Sequence, residues 1–174
     1  IGLSAGFDKH INAPLAYPML GFGFAELGSI TNVKQPGNPK PRLWRIPEDK
    51  GLIVYYGLAN SGAENAAGKM QKINTHPIPY GISIAPSNGL GTVEMVEDCA
   101  QSFLKLYSVA DYITLNVSCP NVAGCEVFAQ VSFVKDLLTR IRGLMTKKNI
   151  SKDVFIKIGP HFNNEELDQI VDSC

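Results

Sequence analysis

Five short apolar runs in this sequence each end in residues that could contact a ligand. The fourth run ends in Asn116-Val117-Ser118-Cys119-Pro120-Asn121, which combines a thiol with amide and hydroxyl groups. The first run ends in Gly6-Phe7-Asp8-Lys9, and the others carry Gly28-Ser29, Ser83 and Lys157. Ligands of parallel α/β proteins bind at the carboxyl ends of the strands. The pattern therefore predicts a small-molecule site on one rim of a sheet.

Taken singly, each of these residues has an ordinary structural explanation. A lysine at a strand end is most often a solvated charge, and a lone cysteine is most often a small buried apolar residue. Asparagine and proline after a strand usually form a turn. It is their coincidence on one predicted rim that favours a binding site.

The elements that must position these residues alternate between strands and helices, which is typical of a parallel sheet. Apolar runs predict strands at 1–5, 24–31, 80–85, 112–117 and 154–158, and helical periodicity predicts helices at 92–108 and 132–147. Asn164, followed by two glutamates, is predicted to cap a last helix that runs to the end. A (β/α)8 barrel needs eight strands and about 250 residues, so five units form an incomplete barrel or a smaller open sheet.

Two stretches depart from this alternation. Pro14 and Pro18 lie in the first helical segment, so that helix should be kinked or late-starting. The connection 31–62 is far longer than an ordinary loop between a strand and a helix, and it contains four prolines. Within it, the runs 43–46 and 52–56 predict a small hairpin. We expect this hairpin to cover the mouth of the barrel.

The composition narrows the class of partner. Sixteen lysines and arginines balance sixteen aspartates and glutamates, and no basic block stands out, so charge does not indicate a nucleic-acid partner. The cysteines at 99, 119, 125 and 174 form neither CxxC pairs nor a zinc-type Cys/His cluster, so no metal is expected. A small-molecule partner fits better.

The sequence shows no secretory signal and no apolar run of the roughly 20 residues that a transmembrane helix needs. It begins with Ile1 in a predicted strand, so we expect a segment upstream. A reducing, cytoplasmic location is the default expectation. Peripheral attachment to a membrane through that segment is the alternative.

Five motifs together resemble the FMN-dependent dihydroorotate dehydrogenases. They are Ala5-Gly6-Phe7-Asp8-Lys9, Glu26-Leu27-Gly28-Ser29, Pro36-Gly37-Asn38-Pro39-Lys40-Pro41-Arg42, the element 116–121 and Val154-Phe155-Ile156-Lys157-Ile158-Gly159-Pro160. They occur in the family's order and approximate spacing, and the resemblance covers essentially the whole chain. It implies the N-terminal part of a single FMN-binding (β/α)8 TIM barrel, about five βα units within 1–174, with 31–62 as a lid or hairpin insertion.

The resemblance also implies an activity and a set of site residues. Family members oxidise dihydroorotate to orotate in pyrimidine biosynthesis, removing a proton from C5 and a hydride from C6, with FMN as hydride acceptor. By resemblance, Cys119 is the catalytic base, and Lys9, Asn116 and Asn121 contact the substrate. The residues implied to contact FMN are Ala5, Gly6, Lys9, Ser29, Ser83, Asn116 and Lys157.

The motifs divide between two classes of the family. Lys9 and Arg42-Leu43-Trp44-Arg45 resemble the membrane-associated class that uses a quinone, whereas Cys119 and Gly57-Leu58-Ala59-Asn60 resemble the soluble class. The second electron acceptor, quinone or soluble, therefore stays open. Val54 stands where the family usually has an asparagine that contacts the pyrimidine, and valine has no hydrogen-bonding side chain.

Two other functions compete with this interpretation. One is another FMN barrel enzyme, such as a dihydrouridine synthase, whose tRNA substrate would favour a basic surface. The other is a non-catalytic or degenerate flavin-binding homologue, suggested by Val54 and by the strands that five units lack. In the family, loops after the last strands hold the FMN phosphate, so we expect these five units alone to be inactive.

Overall fold

The computed structural model describes residues 1–119, 127–128 and 130–174. Its strands, numbered in chain order, are β1 (Gly2–Leu3), β2 (Phe24–Ile30), β3 (Leu43–Ile46), β4 (Gly51–Val54), β5 (Tyr80–Ile84), β6 (Tyr112–Val117) and β7 (Asp153–Ile158). Its helices are α1 (Ala16–Met19), α2 (Ala63–Met70), α3 (Thr92–Leu106), α4 (Val131–Lys148) and α5 (Asn164–Val171). Within the described residues, no helix is long and apolar enough to cross a bilayer.

Five of the strands form one parallel sheet in the order β1-β2-β5-β6-β7. Each neighbour in the sheet is also the next sheet strand along the chain, and the connections from β2 onwards carry helices, as repeated βα units require. The predicted parallel α/β sheet is therefore confirmed, with strand boundaries within a few residues of the expected ones. β1 is shorter than predicted, because Ser4 and Ala5 have already left the ladder.

Alternation along the strands separates the core from the ligand-facing side. Leu27, Ile82 and Leu115 are fully buried and belong to the core cluster that the helices cover. Burying a large apolar side chain of this kind contributes about 1.5–3 kcal/mol. Side chains of the opposite parity, such as Ser83 and Asn116, point to the other face of the sheet.

The two long helices lie where the helical periodicity of the sequence predicted them. α3 and α4 pack against each other, and Phe103 and Leu137 are fully buried between helix and sheet. The first helix starts late, as the prolines predicted, and consists only of Ala16–Met19. Pro18 lies inside that single turn, where too few residues precede it for an interior hydrogen bond to be lost.

The cap of the last helix was predicted one residue too late. The side chain of Asn163, not Asn164, accepts a hydrogen bond from the Glu166 backbone N–H at 3.0 Å. In return the Glu166 carboxylate accepts from the Asn163 N–H at 2.8 Å. This reciprocal pair requires a spacing of three residues, which Asn163 satisfies and Asn164 does not. The helix also ends at Val171, three residues before the end of the chain.

The insertion 31–62 contains the predicted hairpin. Leu43 pairs with Val54 and Ile46 pairs with Gly51 in an antiparallel register, and a short 3-10 helix at Pro47–Asp49 connects the two strands. A backbone bridge between Gln35 and Asn60 closes the base of the insertion. Its role as a lid stays a prediction.

The cap assignment predicts different effects for two neighbouring substitutions in the full-length protein. Asn163→Ala removes the acceptor of the Glu166 N–H, while the backbone N–H at 163 can still donate to Glu166, and should lower the free energy of unfolding by about 1 kcal/mol. Asn164→Ala should change it by less than about 0.5 kcal/mol, since alanine is well tolerated inside a helix. Urea denaturation followed by circular dichroism measures both. A larger loss for Asn164→Ala would contradict the assignment.

Candidate active site

A cleft of about 540 Å³ lies between the carboxyl ends of the parallel strands and the hairpin. Seven of the predicted site residues line it, namely Ala5, Gly6, Lys9, Ser29, Asn116, Cys119 and Lys157. Ser83 lies directly behind this lining and hydrogen-bonds to Ser29. Asn121 lies outside the described residues. The structure thus brings together every predicted site residue that it describes.

A buried amide links the middle strands of this rim. The Asn116 side chain donates from Nδ2 to Ser29 Oγ at 2.7 Å, and Ser29 shares a 2.8 Å hydrogen bond with Ser83 Oγ. Ser83 is fully buried, and Asn116 and Ser29 are almost so. The three side chains come from β6, β2 and β5, so their hydrogen bonds cross the sheet on its ligand-facing side.

The same amide holds the turn that carries Cys119. Asn116 Oδ1 accepts hydrogen bonds from the Ser118 backbone N–H at 3.1 Å and from Ser118 Oγ at 2.7 Å. Because a backbone N–H can only donate, it fixes which end of the amide faces Ser118 and which faces Ser29. Asn116 therefore sets the conformation of the residue next to Cys119. Sequence reasoning did not single out Ser118 for this role.

A buried carboxylate shapes the loop that carries Lys9. Asp8 accepts hydrogen bonds from the backbone N–H groups of Asn12 and Ala13 at 2.8–3.0 Å, and from the Tyr17 hydroxyl at 2.9 Å. Burial, and then the Asp8 carboxylate, raise the pKa of Tyr17 well above its ordinary value, so that hydroxyl remains a donor. The Asp8 carboxylate is thus committed to donors of its own segment, and it fixes the loop that presents Lys9 to the cleft.

Backbone contacts seat this loop on the end of β2. The Gly6 N–H donates to the Gly28 carbonyl at 2.8 Å, and the Gly28 N–H donates to the Asp8 carbonyl at 3.1 Å. Gly6 has a φ of 108°, which residues with a Cβ rarely adopt, and a Cβ built there would meet no atom within 4 Å. The cleft therefore keeps open space beside the Gly6 backbone.

Lys9 is half-buried between the rim and the hairpin. Its ammonium donates to the Gly6 carbonyl and lies 4.0 Å from the centre of the Tyr56 ring. Burial lowers the pKa of Lys9 below its ordinary value of 10.5, and the positive charge of Arg42 lowers it further. The negative charge of a Cys119 thiolate acts in the opposite direction and raises the pKa of Lys9, and both residues line the same cleft.

The environment of Cys119 differs from that of the other described cysteines. Cys119 is half-buried at the cleft and packs against Leu58 and Ala85. Cys99 is enclosed in the core, where burial raises the pKa of its thiol far above the ordinary value. Cys174 is exposed at the end of the chain. Among these, Cys119 is the thiol that shares a cleft with a cation.

The hairpin contributes residues to the cleft that sequence reasoning had not assigned to it as ligand contacts. Arg42, Tyr56 and the apolar side chains of Leu43, Leu52 and Val54 all line it. These residues lie on a long insertion whose position relative to the sheet depends on contacts distant in sequence. Arg42 closes the motif 36–42, which was a visible signal, whereas nothing marked Tyr56.

Similarity to known proteins decides the family. The family model described as dihydroorotate dehydrogenase matches residues 1–174. The chain is 37% identical over 172 residues to a dihydroorotate dehydrogenase (quinone) of Mycobacterium sp. strain KMS, covering 99% of this chain and 47% of that protein. It is 40% identical over 176 residues to a protein of the same name from Synechocystis sp., covering 99% of this chain and 45% of that protein.

This chain belongs to the dihydroorotate dehydrogenase family. A crystal structure of the Eimeria tenella enzyme of this family, in complex with ferulenol, matches with a TM-score of 0.87 and 27% identity over 99% of this chain and 52% of that one. The predicted TIM barrel is thereby confirmed, and the five parallel strands are a part of it. The chain spans about half the length of the curated relatives it matches.

Membership in the dihydroorotate dehydrogenase family removes one of the two competing functions. The whole chain matches this family, so the assignment to a different FMN barrel such as a dihydrouridine synthase is wrong. Within the described residues, no group of three or more histidines, cysteines and carboxylates could hold a metal ion. The roles of individual residues remain predictions.

The charges around Lys9 predict the effect of removing Arg42. In full-length Arg42→Gln, the pKa of Lys9 should rise, because a nearby positive charge no longer opposes its protonation. Burial still acts, so the value should stay below 10.5. Competitive acetylation of the lysines across pH, resolved by mass spectrometry, measures it. Arg45→Gln, which removes a charge from the same hairpin, should leave Lys9 unchanged. An unchanged or lower pKa in Arg42→Gln would contradict this account.

Proposed function

We propose that the protein to which this chain belongs oxidises dihydroorotate to orotate with FMN as hydride acceptor, in pyrimidine biosynthesis. Cys119 acts as the base that takes the proton from C5. The observation that carries this proposal is the meeting of Cys119, Lys9 and Asn116 in one cleft at the strand ends. Family membership supports the same reaction.

Cys119 has the surroundings that a thiol base requires. A free thiol has a pKa of about 8.5, and its thiolate becomes more abundant at neutral pH when a cation lies nearby. Lys9 supplies that positive charge, since it lines the same cleft as Cys119. The hydrogen bonds between Ser118 and Asn116 hold the turn in place, so the thiol does not have to be ordered at each turnover.

The residues at the rim fit a flat, polar cofactor. The open space beside Gly6 admits a ring close to the backbone, and Ser29 and Asn116 present hydroxyl and amide groups on the neighbouring strands. Lys157 pairs with Asn116 on the neighbouring strand, and it gives the cleft a second positive charge in addition to that of Lys9. When bound, FMN supplies the acceptor for the hydride that leaves C6. These residues, with Ala5 and Ser83, are the proposed FMN contacts.

Substrate contacts follow from the groups that the network leaves available. The Asn116 side-chain amide has two N–H groups. Among the described residues, Ser29 accepts a hydrogen bond from one of them, so the other can donate to a pyrimidine ring in the cleft. Lys9 can pair with the substrate carboxylate. Asn121 is proposed as a further contact on the basis of the family motif. Val54 offers only apolar contact on the opposite side of the cleft.

A quinone is the proposed second acceptor. Phe7 is exposed, and together with Leu43 and Leu52 it gives the cleft an apolar side. The named relatives are quinone-using enzymes, and an apolar acceptor suits such a surface. A soluble acceptor remains the second candidate, because Cys119 and the residues 57–60 resemble the class that uses one.

The proposal predicts a specific loss in the full-length, FMN-loaded protein. Cys119→Ala should slow the bleaching of flavin absorbance by dihydroorotate by about 10²–10⁴-fold, the usual contribution of a general base. Flavin binding and stability should change little. Cys119→Ser should keep part of the rate and require higher pH, because a hydroxyl is a weaker acid than a thiol. Anaerobic stopped-flow across pH measures these rates.

Two other cysteine variants serve as matched controls for that experiment. Cys174→Ala, at an exposed position away from the cleft, and Cys125→Ala, outside the described residues, should both bleach at the wild-type rate. If Cys119→Ala bleaches as fast as wild type, or Cys125→Ala is the slow variant, the assignment of the base is wrong. If dihydroorotate does not bleach the wild-type protein, a degenerate homologue is the better description.

A further inference from the structure

The position of Lys9 depends on residues that lie far from it in sequence. Lys9 follows β1, whereas its ring partner Tyr56 follows β4 in the insertion. The Lys9 ammonium lies 4.0 Å from the centre of the Tyr56 ring, within the range of about 6 Å in which a cation and an aromatic face attract. A long lysine side chain with one neutral acceptor, the Gly6 carbonyl, would otherwise have much rotamer freedom.

Arg42 places a second cation on the same ring. Its guanidinium carbon lies 5.4 Å from the Tyr56 ring centre. Arg42 and Lys9 repel each other, which is one reason why the pKa of Lys9 is lowered. The electron-rich ring face attracts both charges and partly offsets that repulsion. Tyr56 is therefore the group that allows the two cations to share one side of the cleft.

The ring and the guanidinium are held by the loop that precedes the hairpin. Arg42 Nη1 donates to the carbonyls of Pro36 at 2.7 Å and Asn38 at 3.0 Å. Gly37 has a φ of 75°, and a Cβ there would collide with the Tyr56 carbonyl and the Arg42 guanidinium. The Asn38 N–H also donates to the Tyr56 carbonyl at 3.0 Å. Tyr56 and Arg42 thus form one packed unit, on which the flexible Lys9 side chain rests.

We propose that Tyr56 and Arg42 are positioning residues that hold the Lys9 ammonium beside Cys119. This inference rests on the proposed function, because it assigns the insertion a part in preparing the same base. Without the ring, Lys9 would keep its charge and its Gly6 acceptor but sample positions further from Cys119. The thiolate of Cys119 would then lose stabilisation, and its formation would require higher pH.

Several charged or titratable groups line the cleft and could influence the reactivity of Cys119. Those that line it are Asp8, Lys9, His10, Arg42, Tyr56, Cys119 and Lys157. Asp8 is committed to backbone and hydroxyl donors of its own loop, and His10 Nδ1 lies 2.9 Å from Ser61 Oγ. A change in Cys119 reactivity on altering Tyr56 alone therefore reports on the Lys9 and Arg42 side of the cleft.

The test measures how readily Cys119 reacts, without using dihydroorotate. The full-length, FMN-loaded protein is treated with iodoacetamide across pH, and mass spectrometry follows the alkylation of Cys119. The quantity compared is the alkylation midpoint, the pH at which the rate of Cys119 alkylation is half its maximum. Tyr56→Leu, which removes the ring face, should move this midpoint about 0.5 to 1 pH unit higher, since one nearby positive charge shifts a pKa by an amount of this order. Tyr56→Phe keeps the ring face and should keep the wild-type midpoint.

Two further variants separate positioning from a general effect on the hairpin. Tyr55→Leu removes the neighbouring exposed ring and should leave the midpoint unchanged. Lys9→Met should move it upward at least as far as Tyr56→Leu, and adding Tyr56→Leu to Lys9→Met should cause little further change. Circular dichroism and flavin absorbance confirm that each variant is folded and loaded.

The outcomes distinguish this inference from the proposed function. A Tyr56→Leu midpoint equal to that of wild type, or an equal shift in Tyr56→Phe or Tyr55→Leu, would overturn the positioning role. A full further shift in the double variant would overturn it as well, because Tyr56 would then act without Lys9. If the midpoints separate as expected but dihydroorotate does not bleach the wild-type flavin, the positioning role stands and the proposed reaction fails.

Discussion

The site depends on one buried amide, that of Asn116. It hydrogen-bonds to Ser29 on one side and to Ser118 on the other, and so ties β2 and β6 to the turn that carries Cys119. A buried polar group that loses its partner costs about 1–3 kcal/mol, so a rotated or displaced amide is strongly disfavoured. The backbone N–H of Ser118 fixes the orientation of the amide, and that orientation determines which atoms remain for a ligand. The geometry of the rim is thus a consequence of hydrogen bonds that are buried or partly buried.

The positive charges beside this rim depend on a separate part of the chain. The insertion 31–62 brings Arg42 and Tyr56 to the side of Lys9, while the Asp8 carboxylate stabilises the loop that carries Lys9. This separation of the buried amide network from the cations has a physical reason. A satisfied hydrogen-bond network fixes the positions of its groups, but burying a charge within it would cost the free energy of removing that charge from water. The cations Lys9 and Arg42 therefore lie at the less buried edge of the site, where they line the same cleft as Cys119.

Much of the scaffold could be predicted from local patterns, and the rest depended on contacts distant in sequence. The strands 112–117 and 154–158 were identifiable as short apolar, β-branched runs, and the positions of Asn116 and Lys157 near the ends of these runs placed both on one rim. The Ser29–Ser83–Asn116 network could not be deduced, since it depends on cross-strand register. Tyr56 was missed because an aromatic residue beside a hairpin strand is ordinarily explained by packing. The helix cap was misplaced by one residue because two consecutive asparagines offer the same side chain.

The central claim is that the Asn116 network aims Cys119 at the substrate, and a crystal structure of the full-length protein with FMN and orotate tests it most directly. The account predicts that orotate lies in the cleft with Asn116 Nδ2 and Lys9 Nζ within hydrogen-bond distance of its polar atoms. Cys119 Sγ should lie about 3–3.5 Å from C5, as a reacting pair requires. The hydrogen bonds from Asn116 to Ser29 and from Ser118 to Asn116 should remain. Orotate bound with C5 turned away from Cys119, or an Asn116 amide released from both serines, would contradict the account.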